Sequence, residues 1–280
     1  MDLLQSISDI SLPNIFSRNI VMVEDSRMSF GEHLEALRKM LFRILSVTLV
    51  CSIVVFYFKD LTFQYLLAPR NTDFITFRTI EKIFRYLGKD FTFETYDIQL
   101  ISTELSSQFM MHLESAFIIG ALISSPFIIY ELFKFIAPAL HDNERKYSIG
   151  ICVTSYILFL IGVVMNYFVL FPIAFRFLGT YQVDKTVVSN ITIASYISTF
   201  STLCLTMGLV FELPVLGFIL AKINLLKSKF MRKYRRHSLI VIMVVAAFIT
   251  PPDIFTLCLV TLPLYLLYEL TILIVAKVEK

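Results

Sequence analysis

The stretch YSIGICVTSYILFLIGVVMNYFVLF, Tyr147–Phe171, runs for 25 residues without one charged side chain. At 1.5 Å per residue it makes a helix of roughly 37 Å, enough to cross a hydrocarbon core of about 30 Å. Its side chains favour lipid over water, and a helix keeps every backbone polar group bonded within the segment. Similar apolar windows lie on either side, at Leu41–Phe58, Phe109–Ala137, Ile193–Ala221, Ser238–Thr250 and Ile254–Ala276. Composition agrees: 57% of the residues are hydrophobic and 17% charged, with a mean hydropathy of +0.75. These values fit bilayer rather than water as the main solvent. The expected fold class is all-α, a polytopic membrane protein of six transmembrane helices. No Pro/Gly/Ser-rich linker divides the chain, so residues 1–280 read as one membrane domain. It has an N-terminal segment at 1–40, a long loop at 59–106 and shorter loops at 138–146 and 222–237. Residues 1–40 contain no unbroken apolar stretch of the signal-peptide kind, so the N-terminal segment is expected to be retained.

Charge sets the expected orientation. With the N-terminus inside, 17 of the 25 Lys and Arg fall on the cytoplasmic side and 8 outside, as the positive-inside rule requires. The contrast is sharpest in the loops: Lys222–His237 holds Lys222, Lys227, Lys229, Arg232, Lys233, Arg235 and Arg236 with no acid, whereas Thr250–Asp253 holds no base. The tail is also basic, through Lys277 and Lys280. Two crossings must therefore follow the basic loop, so the short window Ser238–Thr250 has to span although it covers only about 20 Å; local thinning of the bilayer accommodates it. Both termini then lie in the cytoplasm. In the loop at 59–106 acids and bases nearly cancel, and Arg78–Leu87 reads as a short amphipathic helix on the membrane surface.

Three carboxylates fall in the expected cytoplasmic halves of the apolar helices. Glu131, Glu212 and Glu269 fall about 9, 15 and 12 Å from the expected cytoplasmic ends of their helices. An ionised carboxylate at such depth costs several kcal/mol unless it is paired, hydrated or protonated, roughly by the insertion scales. The functional reading is a polar patch meeting a polar group on a partner helix. The bland reading is three glutamates snorkelling or bonded to neighbouring helices. Pro126, Pro214 and Pro263 fall inside helices, where each frees a carbonyl and bends the axis, giving an expected curved, concave bundle. Cys51, Cys152, Cys204 and Cys258 sit in apolar runs and read as small buried hydrophobes.

Several motifs follow one another in a specific order. His33-Leu34-Glu35-Ala36-Leu37-Arg38-Lys39 precedes the first apolar window. Pro126-Phe-Ile-Ile-Tyr130 is followed by Phe135-Ile-Ala-Pro138-Ala-Leu140 and Glu144-Arg145-Lys146. Phe211-Glu212-Leu213-Pro214 lies in the fourth window, and Thr250-Pro251-Pro252-Asp253 with Pro263 and Glu269 in the last two. In order and spacing these resemble the TatC family, the multi-spanning subunit of the twin-arginine protein translocase. The resemblance implies a receptor for twin-arginine signal peptides of folded precursors and a scaffold for single-span TatA and TatB subunits and for further copies of itself. It implies use of the proton-motive force, residence in the bacterial cytoplasmic (inner) membrane, and no covalent chemistry. The signal-peptide residues it implies are Glu144 with its neighbour Arg145, and the N-terminal set Glu32, His33, Glu35 and Arg38. Pro126, Pro138, Pro214, Pro251, Pro252, Asp253 and Pro263 take structural roles, while Glu212, Glu131 and Glu269 are the intramembrane polar positions.

One departure stands out: Ala36 occupies the place of the family's N-terminal glutamate. Glu35, one residue earlier, points about 100° away on a helix, whereas Glu32 shares the face of Ala36 at four-residue spacing. His33, His112, His141 and His237 form no HExxH or His-rich pattern, and neither a GxSxG elbow nor a Gly-rich phosphate loop occurs. No metal, cofactor or catalytic residue is therefore expected, and the net charge of +3 gives no ground for a nucleic-acid partner. The alternative class is a proton-coupled secondary transporter of a small solute, since intramembrane carboxylates also serve proton relays.

Overall fold

The computed structural model describes residues 30–89, 91–93, 98–136, 148–182, 184 and 190–279. The chain divides into two units, Met1–Lys39 and Met40–Lys280. The protein is all-α, and among the described residues five helical stretches are long and apolar enough to cross a membrane: Gly31–Tyr57, Ser107–Phe135, Ile149–Thr180, Ile193–Lys222 and Ile254–Val278. The first is α1 (Phe30–Tyr57) and the second α4 (Ser107–Ile136). The third joins α5 (Ser148–Met165), a π-helical turn at Asn166–Leu170 and α6 (Phe171–Thr180). The fourth joins α7 (Ile193–Val210) to α8 (Leu213–Lys222), and the fifth is α11 (Ile254–Val278). Two of these outrun their apolar windows. The amphipathic entry is continuous with α1. The third stretch passes Pro172, in the first turn of α6. The remaining window is α10 (Arg235–Ile249), 15 residues long and so about 22 Å.

Between α1 and α4 the chain is more ordered than a plain loop. It forms α2 (Lys59–Leu66), a 3₁₀ turn at Ala68–Arg70, α3 (Ile75–Tyr86) and a two-residue strand β1 (Leu100–Ile101). The amphipathic helix thus begins three residues earlier than the Arg78 start read from the sequence. Strand β1 pairs in parallel with β2 (Ile191–Thr192), Leu100 facing Ile191 and Ile101 facing Thr192. Hydroxyl groups fasten this segment to the helices. Pro69 has no N–H to offer the carbonyl of Tyr65, four residues back; that oxygen accepts instead from the Tyr167 hydroxyl at 2.8 Å. Next to it, the Leu66 carbonyl accepts from the Tyr196 hydroxyl at 3.0 Å. Pro172 likewise releases Phe168, whose carbonyl accepts from the Thr76 hydroxyl of α3. In α4 the carbonyl of Leu122, four residues before Pro126, accepts from the Ser125 hydroxyl at 2.7 Å. The Arg176 guanidinium of α6 lies over the rings of Phe77 and Phe93, 5.0 and 4.4 Å from their centres, a cation–π contact between the segment and the bundle.

Small and polar residues line the helix contacts, as packing in lipid requires. α1 and α4 run antiparallel along one seam: Arg43 meets Glu131, Thr48 shares a 3.0 Å hydrogen bond with Ser124, and Phe56 stacks on His112 at 4.0 Å. Within that seam a Cβ on Gly120 would lie 2.7 Å from the Ser52 Cα. A Cβ on Gly162 of α5 would lie 2.5 Å from the Met207 carbonyl of α7, so only glycine allows that approach too. The core between α5, α6, α7 and α11 holds Phe171, Tyr196, Leu203, Met207 and Val260, all buried. Beside it, α10 lies against α11. The two are joined by Thr250–Asp253, and the Asp253 carboxylate caps α11 by accepting from the Thr256 N–H at 2.6 Å.

Two measurements follow from this packing. Gly120→Ala should destabilise the protein by about 1–3 kcal/mol, the usual cost of overpacking, read as a lower unfolding midpoint in detergent; an unchanged midpoint would contradict the close α1–α4 contact. Cysteines at Ser238 and Thr250, near the two ends of the short helix, should react with impermeant reagents from opposite sides of the membrane. Reaction of both from the same side would make α10 re-entrant.

Candidate functional site

Pro214 determines the shape of the fourth span. It cannot donate to the carbonyl of Val210. α7 accordingly ends at Val210 and α8 begins at Leu213, leaving Phe211 and Glu212 in a turn with Glu212 at the N-cap position. Glu212 is half-buried, and its Oε2 accepts a hydrogen bond of 2.5 Å from the hydroxyl of Ser155 on α5, itself only 2% exposed. The other oxygen, Oε1, is buried and has no hydrogen-bond partner among the described residues.

Glu131 and Glu269 have cationic partners. Glu131, 5% exposed, accepts from Arg43 Nη1 at 3.3 Å and lies 3.9 Å from Lys134 Nζ. Glu269 accepts from Arg235 Nη2 at 2.7 Å and from the Tyr265 hydroxyl at 3.1 Å. The three carboxylates thus engage different helices: α1 for Glu131, α5 for Glu212 and α10 for Glu269. Arg43 and Ser155 were not singled out by the sequence reading. Arg43 carried a signal, a base inside an apolar run that asks for a partner exactly as a buried acid does. Ser155 carried none, being one hydroxyl among several in an uncharged helix.

In the N-terminal unit Glu32, His33, Glu35 and Arg38 all fall in the first turns of α1. Because the helix is regular from Phe30, Glu32 and Ala36 share a face. Glu35 pairs with Lys39 at 2.7 Å. Glu144, Arg145 and Pro138 lie outside the described residues. Pro126 and Pro263 lie inside α4 and α11, and Pro251 and Pro252 in the turn capped by Asp253. Among the described residues no group of three or more His, Cys, Asp or Glu is placed to hold a metal ion. Beyond the spanning helices, the Glu279 carboxyl is held below the usual glutamate range by hydrogen bonds from the Ser228 hydroxyl and N–H, which tie the chain end to the basic loop.

The Glu131 pair is open to test. Arg43→Gln leaves a buried carboxylate with only the more distant Lys134, and should cost about 1–3 kcal/mol of stability. The double variant Arg43→Gln/Glu131→Gln should recover part of that loss. Unfolding of the single variant at the wild-type midpoint would show that the pair contributes nothing.

Comparison with known proteins supplies the family. The family described as Sec-independent protein translocase protein (TatC) matches residues 32–263. The chain is 36% identical over 261 residues to the Sec-independent protein translocase protein TatC of Blattabacterium sp. subsp. Periplaneta americana (strain BPLAN), covering 92% of this chain and 98% of that one. It is 32% identical over 249 residues to TatCy of Bacillus subtilis (strain 168), covering 89% of each. Among solved structures, a crystal structure of the twin arginine translocase receptor TatC superimposes with a TM-score of 0.71 at 26% identity, covering 89% of this chain and 100% of that chain. The chain belongs to the TatC family and is a multi-pass protein of the bacterial inner membrane, a component of a Sec-independent protein translocase.

Proposed function

We propose that this protein is the receptor and scaffold of a twin-arginine translocase. It binds twin-arginine signal peptides of folded precursors at its cytoplasmic face and assembles with TatA- and TatB-type single-span subunits and with further copies of itself. It exports cargo at the expense of the proton-motive force, without cofactor or covalent step. In this reading the chain is one membrane domain crossing six times, with α10 as the short fifth span and both termini inside.

The observation that carries the scaffold role is Glu212. Of the glutamates in the expected cytoplasmic halves of the spanning helices it is the one whose described contacts include no cation, and it stands at a proline-made break with one carboxylate oxygen unpaired among the described residues. A polar side chain on a partner's transmembrane helix would complete it. The signal-peptide role rests on the family resemblance at Glu144 and at the start of α1. A carboxylate accepts paired, charge-assisted hydrogen bonds from a guanidinium. Glu32 stands for the acid missing at Ala36, since it occupies the same helix face.

Precursor affinity in nanodiscs at fixed salt tests the assignment, exposed ion pairs being screened. Glu32→Ala and Glu144→Ala should each weaken binding about ten- to a hundredfold, the worth of one charge-assisted contact, and Glu35→Ala much less. Ala36→Glu in the Glu32→Ala background should restore binding by returning a carboxylate to that face. Normal binding by Glu32→Ala together with failure of Glu35→Ala would make Glu35 the reader. A precursor that cross-links to probes in neither Met28–Lys39 nor His141–Lys146 would overturn the receptor site altogether.

A further inference from the structure

We infer that Ser155 is the positioning residue for Glu212, fixing which oxygen a partner helix meets and what chemistry that partner must offer. The inference rests on the partner contact proposed for Glu212 and adds a residue on a different helix. Ser155 lies on α5, 57 positions away in the chain, and is buried, and its hydroxyl bonds the glutamate rather than a carbonyl of its own helix. It donates to Oε2, which occupies one acceptor site of that oxygen and restricts rotation of the carboxyl about its last bond. Oε1 is left as the unpaired acceptor, buried at the turn between α7 and α8. The close approach of α5 to α7 at Gly162, where a Cβ would lie 2.5 Å from the Met207 carbonyl, fixes the distance across which the serine reaches. As a carboxylate, an acceptor so placed selects a hydrogen-bond donor, a hydroxyl, carboxamide or indole N–H, and rejects a carbonyl or a second carboxylate. Binding such a donor relieves an unsatisfied buried oxygen, which favours association beyond the contact itself.

The test is a double-mutant cycle on the affinity of a TatA/TatB-type single-span subunit in nanodiscs, with twin-arginine precursor binding measured on the same samples. Ser155→Ala should weaken subunit binding about three- to tenfold, one hydrogen bond's worth of orientation, and leave precursor binding at the wild-type value. Ser155→Ala/Glu212→Ala should bind the subunit no worse than Glu212→Ala alone, because the serine acts only through the glutamate. A serine with a merely structural role would give the same loss in both backgrounds, and that result overturns the inference. So does wild-type subunit binding by Ser155→Ala when Glu212→Ala has lost it; the contact at Glu212 then stands without the serine. Wild-type subunit binding by Glu212→Ala removes the contact itself, and the role of Ser155 with it.

Discussion

A polar backbone atom in lipid has no water to turn to, and each one left bare costs several kcal/mol, roughly, in hydrocarbon. Meeting that demand from within the chain is the constraint on which this structure rests. Prolines sharpen it, because each strips one carbonyl of its donor. Here the stripped carbonyls of Tyr65, Leu122 and Phe168 accept from the hydroxyls of Tyr167, Ser125 and Thr76. Two of those three bonds join distant parts of the chain. The docking of α2 and α3 against the π-turn at Asn166–Leu170 is thus specified by directional bonds, to which Arg176 over Phe77 and Phe93 adds a cationic contact. Apolar burial alone cannot supply such direction where the solvent is itself apolar.

The same demand sorts the glutamates. Glu131 and Glu269 resolve theirs with Arg43 and Arg235, cations whose own side chains remain partly exposed. These contacts stitch α1 to α4 and α10 to α11. Glu212 resolves only half of its demand, through Ser155. A residue that satisfies its neighbours completely is structural by default, whereas one that keeps an oxygen unpaired at a helix break retains something for another molecule to complete.

Hydropathy made the spans legible because it adds up residue by residue and asks nothing about neighbours. The uncharged run Tyr147–Phe171 declares itself wherever it packs. What stayed hidden were properties of pairs. Arg43 finds Glu131 across 88 positions and Ser155 finds Glu212 across 57, and no local pattern reports either distance. The expected common patch of three glutamates was a statement about depth, which the sequence supports. Which neighbour each acid faces depends on helix rotation, and that is set by contacts such as Gly120 on Ser52 and Gly162 on Met207. The start of α3 and the π-turn at Asn166 escaped for a related reason: both accommodate proline bonding that is completed elsewhere in the chain.

The seam between α1 and α4 also imposes an order on biogenesis. A ribosome makes Arg43 long before Glu131, which follows it by 88 positions. Throughout that interval the first helix must reside in the membrane carrying an arginine without its acid and hydroxyls without their mates, Thr48 lacking Ser124 among them. The nascent helix is then most stable shifted toward the interface, its guanidinium among headgroups. Synthesis of α4 draws it into final register. The first helix inserts provisionally and is completed by the second.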